Sequence, residues 1–174
     1  MSAGLRLLYF AGKYFPGSMG IAMHRELLDG LADHSIGATI VSLGPAGQRT
    51  PLEETVEDGR RVIRFATIAS PADRLLNAAS KHLLHYDFFL SGTRRLVEIV
   101  RREEFDLLQG QMAYPFGAMA AAALDLARRP APLLLNLAGG DLIDSPEARY
   151  GYARYASVRR VLRYAFGRAT IVRT

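Results

Sequence analysis

Two apolar runs joined by a small-residue segment constrain this sequence more than any other feature. The runs are Phe105–Gln111 and Leu133–Ala138, and the segment between them, 115–129, consists mostly of alanine, methionine, glycine and leucine. Continuous apolar runs bridged by a helix predict a βαβ unit with both strands buried in a parallel sheet. Ligands of such sheets bind at the carboxyl ends of the strands, so we expect functional residues at 109–114 and 136–141.

Strands and helices alternate along the rest of the chain. Further strands are predicted at 5–11, 38–43, 61–68 and 169–173, and further helices at about 21–34, 70–90, 91–104 and 145–166. This alternation predicts an α/β fold, a doubly wound Rossmann-like parallel sheet with strand order 3-2-1-4-5-6 in a single domain. A flavodoxin-like sheet of five strands is the alternative. Residues 44–60 are interpreted as polar and turn-rich, and the charged residues of 61–68 indicate a less buried strand.

Composition narrows the function classes. The 174 residues include no cysteine, which excludes disulfides and thiolate metal sites and suits a reducing cytoplasm. No apolar run approaches the ~18 residues of a membrane span, and the short run 7–11 lacks a cleavage-site pattern, so no signal peptide is predicted. We therefore expect a cytoplasmic location, with peripheral attachment to the inner face of the membrane as a further hypothesis.

The net charge of +5 is concentrated at the carboxyl end. Residues 145–174 hold seven arginines and one glutamate, a balance of +6, so residues 1–144 carry −1. A helix bearing Arg149, Arg159, Arg160 and Arg163 is the predicted surface for anionic lipid or another anionic partner, with Val158, Leu162 and Ala165 as its buried stripe. The alternative is a solvated face that pairs with carboxylates of another domain. No nucleic-acid-binding motif accompanies the charge.

The loop Gly12–Gly20 follows the first strand and opens the first helix. Gly17, Ser18, Met19 and Gly20 are candidate phosphate-binding residues, because a helix amino terminus attracts anions and glycine lets a ligand approach the backbone. The alternative is a turn that only joins strand to helix. The loop lacks the G-x-G start of a dinucleotide fingerprint and the Gly-Lys-Ser/Thr end of a nucleoside-triphosphate loop.

A second glycine-rich turn, Gly139-Gly140-Asp141, ends the second apolar run, and could place an anionic side chain at a cleft or simply join strand to helix. The four histidines, 24, 34, 82 and 85, are scattered, although His82 and His85 could share a helix face at i, i+3. Two histidines make a poor metal site, so we expect the histidines on the surface and expect no metal site.

Four segments resemble retaining glycosyltransferases of GT-B architecture, in particular the glycosyltransferase family 4-like group that includes sucrose synthases. Phe15–Leu27 is similar to the family's tyrosine-proline-proline…glycine-glycine loop and first helix. Phe105–Gly117 resembles its "D-V-I-H-A-H" strand, and Leu135–Asp141 resembles its threonine-leucine-histidine-glycine-x-aspartate segment. Ala165–Thr174 resembles the strand that closes the family's N-terminal domain.

The resemblance implies that residues 1–174 form the acceptor-side, N-terminal domain of such an enzyme. The donor would be a nucleotide-diphosphate sugar held mainly by a second domain absent from this chain, so the isolated chain is expected to be inactive. The acceptor would be a glycan, a lipid or a small molecule, contacted by Gln111, Tyr114, Gly139, Gly140 and Asp141. Neither metal nor cofactor is implied.

The sequence departs from the family pattern at several positions. Gln109 and Gln111 stand where the family often has histidines, and Met19 replaces one loop glycine. Ala138 occupies the position of the family's active-site histidine, so the catalytic residue is left unassigned. We expect Ala138 at the cleft mouth, as a specificity-determining position. The alternative function is a non-catalytic Rossmann-like module that binds anionic lipid or a partner through its basic helix, and a missing fingerprint makes an oxidoreductase the weakest hypothesis.

Overall fold

A computed structural model describes residues 4–18, 20–44, 52–138, 140–141, 143, 145, 147 and 151–174. The strands in this part of the chain are β1 (Arg6–Lys13), β2 (Gly37–Leu43), β3 (Leu52–Glu57), β4 (Arg60–Phe65), β5 (Leu107–Gln111), β6 (Leu133–Asn136) and β7 (Ile171–Arg173). The helices are α1 (Ile21–Asp33), α2 (Pro71–Leu84), α3 (Leu90–Arg102), α4 (Ala118–Ala127) and α5 (Ala156–Arg168), and a single wide turn, Ala113–Gly117, precedes α4.

The described strands form one sheet in the order β3-β4-β2-β1-β5-β6-β7, and every neighbouring pair is parallel except β3 and β4. The predicted order 3-2-1-4-5-6 for six parallel strands is confirmed, and the flavodoxin-like alternative is wrong. The interpretation of residues 44–60 as turn-rich was wrong at β3, which forms a hairpin with β4. Asp58 and Gly59 both have positive φ, as the turn of such a hairpin requires.

Helices cover the two faces of the sheet unequally. Alternate residues of the strands, including Leu8, Phe10 and Leu135, pack beneath α3, α4 and α5. The opposite residues, including Tyr9 and Ile40, pack against Leu28 of α1. Apolar residues at every second strand position and at intervals of about 3.6 helix positions therefore pack against each other, in one core on each side of the sheet.

Helix α5 has the predicted buried stripe, since Val158, Leu162 and Ala165 are all buried. Its predicted start near Ser145 was wrong, because the described residues from Gly151 to Tyr155 are not helical and α5 begins at Ala156. Gly151 has a φ of +99°, a conformation that glycine adopts readily and that interrupts a helix.

Helix α2 begins with a capping box. The Ser70 hydroxyl accepts a hydrogen bond from the Asp73 N–H, and the Asp73 carboxylate accepts one from the Ser70 N–H. The predicted extent, to about residue 90, was too long, because His85 adopts a left-handed conformation that ends the helix. Ser91 lies inside the first turn of α3, and its hydroxyl donates to Asp73 instead of capping α3.

The close approach of β1 to the turn before α4 requires glycine at position 12. Gly12 has a φ of +74°, and a Cβ there would lie 2.4 Å from the Phe116 ring. Gly12→Ala is therefore expected to destabilise the fold by roughly 2–4 kcal/mol, from left-handed strain together with overpacking. Gly17→Ala is the matched control: Gly17 has a φ of +80°, but beyond its chain neighbours no described residue has an atom within 4 Å of its Cβ position, so only the strain applies. Urea unfolding of both variants measures the difference, and equal losses would contradict the packing argument.

Candidate functional site

The three segments that the sequence singles out lie at one edge of the sheet. Strands β1, β5 and β6 are consecutive and parallel, so the residues that follow them emerge at the same, carboxyl edge. These residues are the loop 14–20, the turn 112–117 and the segment 137–141. Three loops therefore meet at the carboxyl edge of the sheet, where we expected the functional residues.

The loop after β1 is fixed where it begins, at Tyr14. The Tyr14 N–H donates to the Ser42 hydroxyl at 2.7 Å, and the Tyr14 carbonyl accepts from Arg64 Nε at 3.0 Å and Nη2 at 2.9 Å. Strands β2 and β4 thus both hold the first residue of the loop in place.

Gly17 and Gly20 are exposed, and apart from their chain neighbours no atom of the described residues lies within 4 Å of either Cβ position. Ser18 is buried, and its hydroxyl accepts a weak hydrogen bond from the Phe15 N–H at 3.4 Å, so it supports the loop from within. Met19 lies outside the described residues. The backbone of Gly17 and Gly20 is therefore the accessible part of the predicted phosphate site.

Arg64 is a site residue that the sequence did not reveal. Its side chain is only 7% exposed, and besides the Tyr14 carbonyl it binds both carboxylate oxygens of Glu57, with Nη2 to Oε2 at 2.6 Å. The expectation of a less buried strand was therefore wrong for Arg64. The hydrogen bonds between Arg64 and Glu57 lower the pKa of Glu57 and raise the pKa of Arg64. An arginine between Ile63 and Phe65 was the available signal, because buried charges in apolar strands are paired.

Four polar side chains form a continuous hydrogen-bonded chain beneath the carboxyl edge. Asn136 Nδ2 donates to Gln111 Oε1 at 2.6 Å, and Gln111 Nε2 donates to the Tyr9 hydroxyl at 2.7 Å. The Tyr9 hydroxyl lies 2.6 Å from His24 Nδ1. The Tyr9 hydroxyl therefore lies between the Gln111 amide, from which it accepts, and the His24 ring. This hydrogen-bonded series of side chains therefore links α1 to the ends of β5 and β6.

Burial governs the ionisation of this polar chain. Burial raises the pKa of Tyr9 and lowers the pKa of His24, so both side chains are neutral near pH 7. The expectation that all four histidines lie on the surface was wrong for His24, which is buried. The signal was present in the helical spacing, because His24 precedes the buried Leu28 by four residues on the inner face of α1.

The predicted acceptor residues are at the carboxyl edge but mostly beneath its surface. Asp141 is 0% exposed, and its carboxylate accepts from the N–H groups of Ala113 at 2.9 Å, Tyr114 at 3.3 Å and Ala138 at 2.9 Å. Asp141 therefore ties the turn after β5 to the segment after β6. Gln111 belongs to the buried polar chain described above.

Tyr114 and Gly140 also hold other segments of the protein in place through hydrogen bonds. Tyr114 is buried, and its hydroxyl accepts from the Asp87 N–H at 2.5 Å. Gly140 is buried, and its carbonyl accepts from the Tyr152 N–H at 3.0 Å. Gly139 lies outside the described residues, whereas Ala138 is exposed at the edge. Direct contact of these residues with an acceptor stays a prediction, and Ala138 is the accessible member.

The basic surface is on α5, at the far side of the sheet from α1. Arg159, Arg160 and Arg163 are exposed, and Arg149 lies outside the described residues. Arg159 Nη1 donates to the carbonyls of Ala153 at 2.8 Å and Arg154 at 3.1 Å, which close the start of the helix. Binding of an anionic surface by these arginines stays a prediction.

The described residues contain no group of three or more histidine, aspartate or glutamate side chains placed to hold a metal ion. A helix long and apolar enough to cross a membrane is likewise not found among them. An open recess of about 900 Å³ lies near Arg6 and Asp106 at the amino edge, remote from the loops described above.

Comparisons with known proteins agree with this geometry. A family model described as "Glycosyl transferase 4-like domain" matches residues 20–174. No curated protein matches the sequence significantly.

Among solved structures, an alpha-glucosyltransferase in complex with UDP and a 13-mer DNA is 11% identical, with a TM-score of 0.51 over 97% of this chain and 36% of that chain. A trehalose-6-phosphate synthase, analysed with bisubstrate glycomimetics for glycosyl transfer with retention, is 13% identical, with a TM-score of 0.55 over 96% and 39%. A candidate UDP-N-acetylglucosamine 2-epimerase from Listeria monocytogenes is 11% identical, with a TM-score of 0.55 over 98% and 39%.

These likenesses establish the GT-B type of Rossmann-like fold, as the resemblance implied. The chain spans less than two fifths of the length of each of these three structures. At such low identity, the substrates of those proteins do not transfer to this chain on the likeness alone.

Removal of the Arg64 guanidinium should destabilise the fold and release Tyr14. Arg64→Met removes the donors of the Tyr14 carbonyl and leaves the Glu57 carboxylate with the hydrogen bond from the Thr55 hydroxyl. We expect a loss of about 2–3 kcal/mol, since Glu57 also keeps some contact with water. Glu57→Gln is the milder comparison, because the Arg64–Tyr14 bonds remain, and should cost about 1 kcal/mol. Denaturant unfolding measures both, and a smaller loss in Arg64→Met than in Glu57→Gln would contradict the assignment.

His24 should make stability depend on pH. Its pKa is lowered by burial, so the unfolded chain binds more protons at mildly acidic pH and stability rises with pH. The contribution is complete above the unfolded pKa of about 6.5 and is lost as the pH falls below it. His24→Asn should remove this part of the pH dependence, while His34→Asn, at an exposed position, should preserve it. Thermal unfolding between about pH 5 and 8 tests the pair; identical profiles for His24→Asn and the wild type would refute the prediction.

Proposed function

The chain belongs to the glycosyl transferase 4-like domain family, and we propose that it forms the acceptor-side half of a retaining glycosyltransferase. The whole enzyme would transfer a sugar from a nucleotide-diphosphate sugar to a glycan, lipid or small-molecule acceptor. A second Rossmann-like domain, outside this chain, would hold most of the donor, and the cleft between the domains would hold the reacting groups. The proposal invokes neither a metal ion nor a cofactor.

The observation that carries this proposal is the exposed backbone at the start of α1. Gly17 and Gly20 are exposed, have positive φ and leave open space where a side chain would be. Helix amino termini bind phosphate because their N–H groups and the helix dipole face the ligand. This backbone therefore suits the diphosphate of the donor, and the carboxyl edge of the sheet is where α/β folds bind ligands.

The remaining residues support orientation more than bond-making. Transfer is favoured when both substrates are held in a reactive geometry and the charge on the departing diphosphate is stabilised. Arg64 and Ser42 hold the start of the phosphate loop through Tyr14. Asp141 holds the segment that carries Ala138, the position proposed to influence substrate specificity.

A carboxylate at Gly17 should repel the donor. In an enzyme that carries this domain together with its donor-binding domain, Gly17→Asp is expected to raise the KM for the nucleotide sugar at least tenfold, since the added charge faces the diphosphate. Gly59→Asp is the matched control, because Gly59 is also exposed, has a φ of +73° and has no non-neighbouring atom within 4 Å of its Cβ position in the described part of the chain, but lies on the β3–β4 turn. Steady-state kinetics on a panel of nucleotide sugars gives both values, and equal effects would contradict the phosphate site.

The stereochemistry and the division of labour are tested in the same assay. NMR of the product should show that the anomeric configuration of the donor is retained, and inversion would refute the retaining mechanism. Residues 1–174 alone should transfer no sugar, because most of the binding energy that favours the transition state would come from the other domain. Robust turnover by this chain alone would overturn the proposed division.

A further inference from the structure

Helix α2 is attached to the rest of the protein by its polar side. Asp73 is buried and accepts hydrogen bonds from the Ser70 N–H at 3.0 Å and the Ser91 hydroxyl at 2.5 Å. Asn77 Oδ1 accepts from the Phe88 N–H at 2.8 Å, and the Ser80 hydroxyl donates to a main-chain carbonyl at 2.9 Å. Positions 73, 77 and 80 recur at helical spacing, so one face of α2 is held by polar contacts.

The apolar side of α2 faces solvent. Leu75 and Leu83 are each 73% exposed, Leu76 is 45% exposed, and Ala79 between them is also exposed. These four residues recur at helical spacing and are called the leucine stripe below. Helices of soluble domains normally turn such a stripe towards the core. An exposed apolar stripe of this kind marks a surface that binds something else.

The charges around the leucine stripe indicate what covers it. Arg74 is basic and exposed, Lys81 is paired with Asp87 (Nζ to Oδ1, 2.8 Å), and Asp73, the one acidic residue of α2, is buried beneath the helix. Helix α5 adjoins the end of α2, since the Ser157 hydroxyl donates to the Leu84 carbonyl and the Tyr155 ring stacks on His85 at 4.6 Å. All charged residues of α5 are arginines, four in number.

A second copy of the chain is a poor match for this surface. A symmetric contact through α2 would bring the same basic residues of two molecules together, and like charges oppose such an interface. An anionic bilayer offers both complements, negative headgroups for the arginines and an apolar layer for the leucines. Interfacial helices combine the same features, an apolar face and basic residues, and lie in the plane of the headgroups.

We propose that α2 and α5 form a docking surface for an anionic lipid bilayer. The leucine stripe enters the boundary between headgroups and acyl chains, while Arg159, Arg160 and Arg163 contribute attraction to anionic headgroups. Attachment is peripheral and reversible. The surface is independent of the proposed transferase activity, since it uses neither the phosphate loop nor the residues around Ala138.

Sedimentation with vesicles tests the proposal. The chain is expected to sediment with vesicles that mix phosphatidylcholine and phosphatidylserine, more weakly with phosphatidylcholine alone, and less as salt is raised. The double variant Leu75→Asp/Leu83→Asp should lose at least tenfold in affinity for the mixed vesicles, because two inserting side chains are replaced by anions. Leu126→Asp is the matched control, since Leu126 is 59% exposed on α4, outside the proposed surface, and should bind as the wild type does.

The electrostatic part and the alternatives have their own readouts. Arg160→Glu/Arg163→Glu should weaken binding to mixed vesicles by about tenfold or more and remove most of its salt dependence. The leucine variants should keep the wild-type melting temperature, and a large fall would show that the stripe is packed rather than exposed. No binding to either vesicle, an equal loss in Leu126→Asp, or a dimer in light scattering that the leucine substitutions dissociate would overturn the proposal.

Discussion

The carboxyl edge of the sheet depends on the buried carboxylate of Asp141. Its oxygens accept from three backbone N–H groups, at Ala113, Tyr114 and Ala138, which belong to the segments after β5 and β6. An ionised group is tolerated in the interior only where donors replace its water, and each hydrogen bond to a charge contributes about 1.5–3 kcal/mol. The geometry of both segments, and the exposed position of Ala138, therefore follow from one shared acceptor.

A second set of polar contacts connects this edge to the phosphate loop. The hydrogen-bonded series of side chains runs from Asn136 through Gln111 and Tyr9 to His24 on α1. The Tyr14 ring lies in the same layer, 6.2 Å from the His24 ring. Because satisfied buried polar networks favour one arrangement over others, the loop after β1 and the ends of β5 and β6 are expected to keep a fixed relation. Such rigidity suits a domain whose proposed task is to orient substrates.

The amphipathic helices α2 and α5 turn their apolar faces in opposite directions, α5 towards the protein and α2 towards water. In α5 the apolar stripe is buried and Arg159, Arg160 and Arg163 face water, whereas in α2 three uncharged or buried polar residues face the protein and the leucines face water. The hydrogen bonds of Asp73, Asn77 and Ser80 make the orientation of α2 specific, because rotation of the helix would leave these groups unpaired. The apolar exposure is thus built into the attachment of the helix, which is why it supports an interaction surface.

By itself, the sequence determined the six parallel strands, their order and the edge where the loops meet. Buried parallel strands are continuous apolar runs, and the chirality of their connections leaves few possible orders, so local pattern was sufficient. The strand β3 was not predicted, because its residues are mostly acidic or polar. The Asp58-Gly59 pair was nevertheless a signal for a hairpin turn. The resemblance to family motifs gave the fold type, but only the folded chain showed which motif residues are accessible.

The tertiary structure alone decided which polar groups are buried together. Gln111 and Tyr9 are 102 residues apart in the chain, Arg64 and Tyr14 are 50 apart, and Asp141 and Ala113 are 28 apart. Hydrogen bonds between such distant residues leave no periodic signal, because each partner looks like an isolated polar residue in its own segment. The outward stripe of α2 is equally invisible, since helical spacing predicts an apolar face but not the direction in which it points.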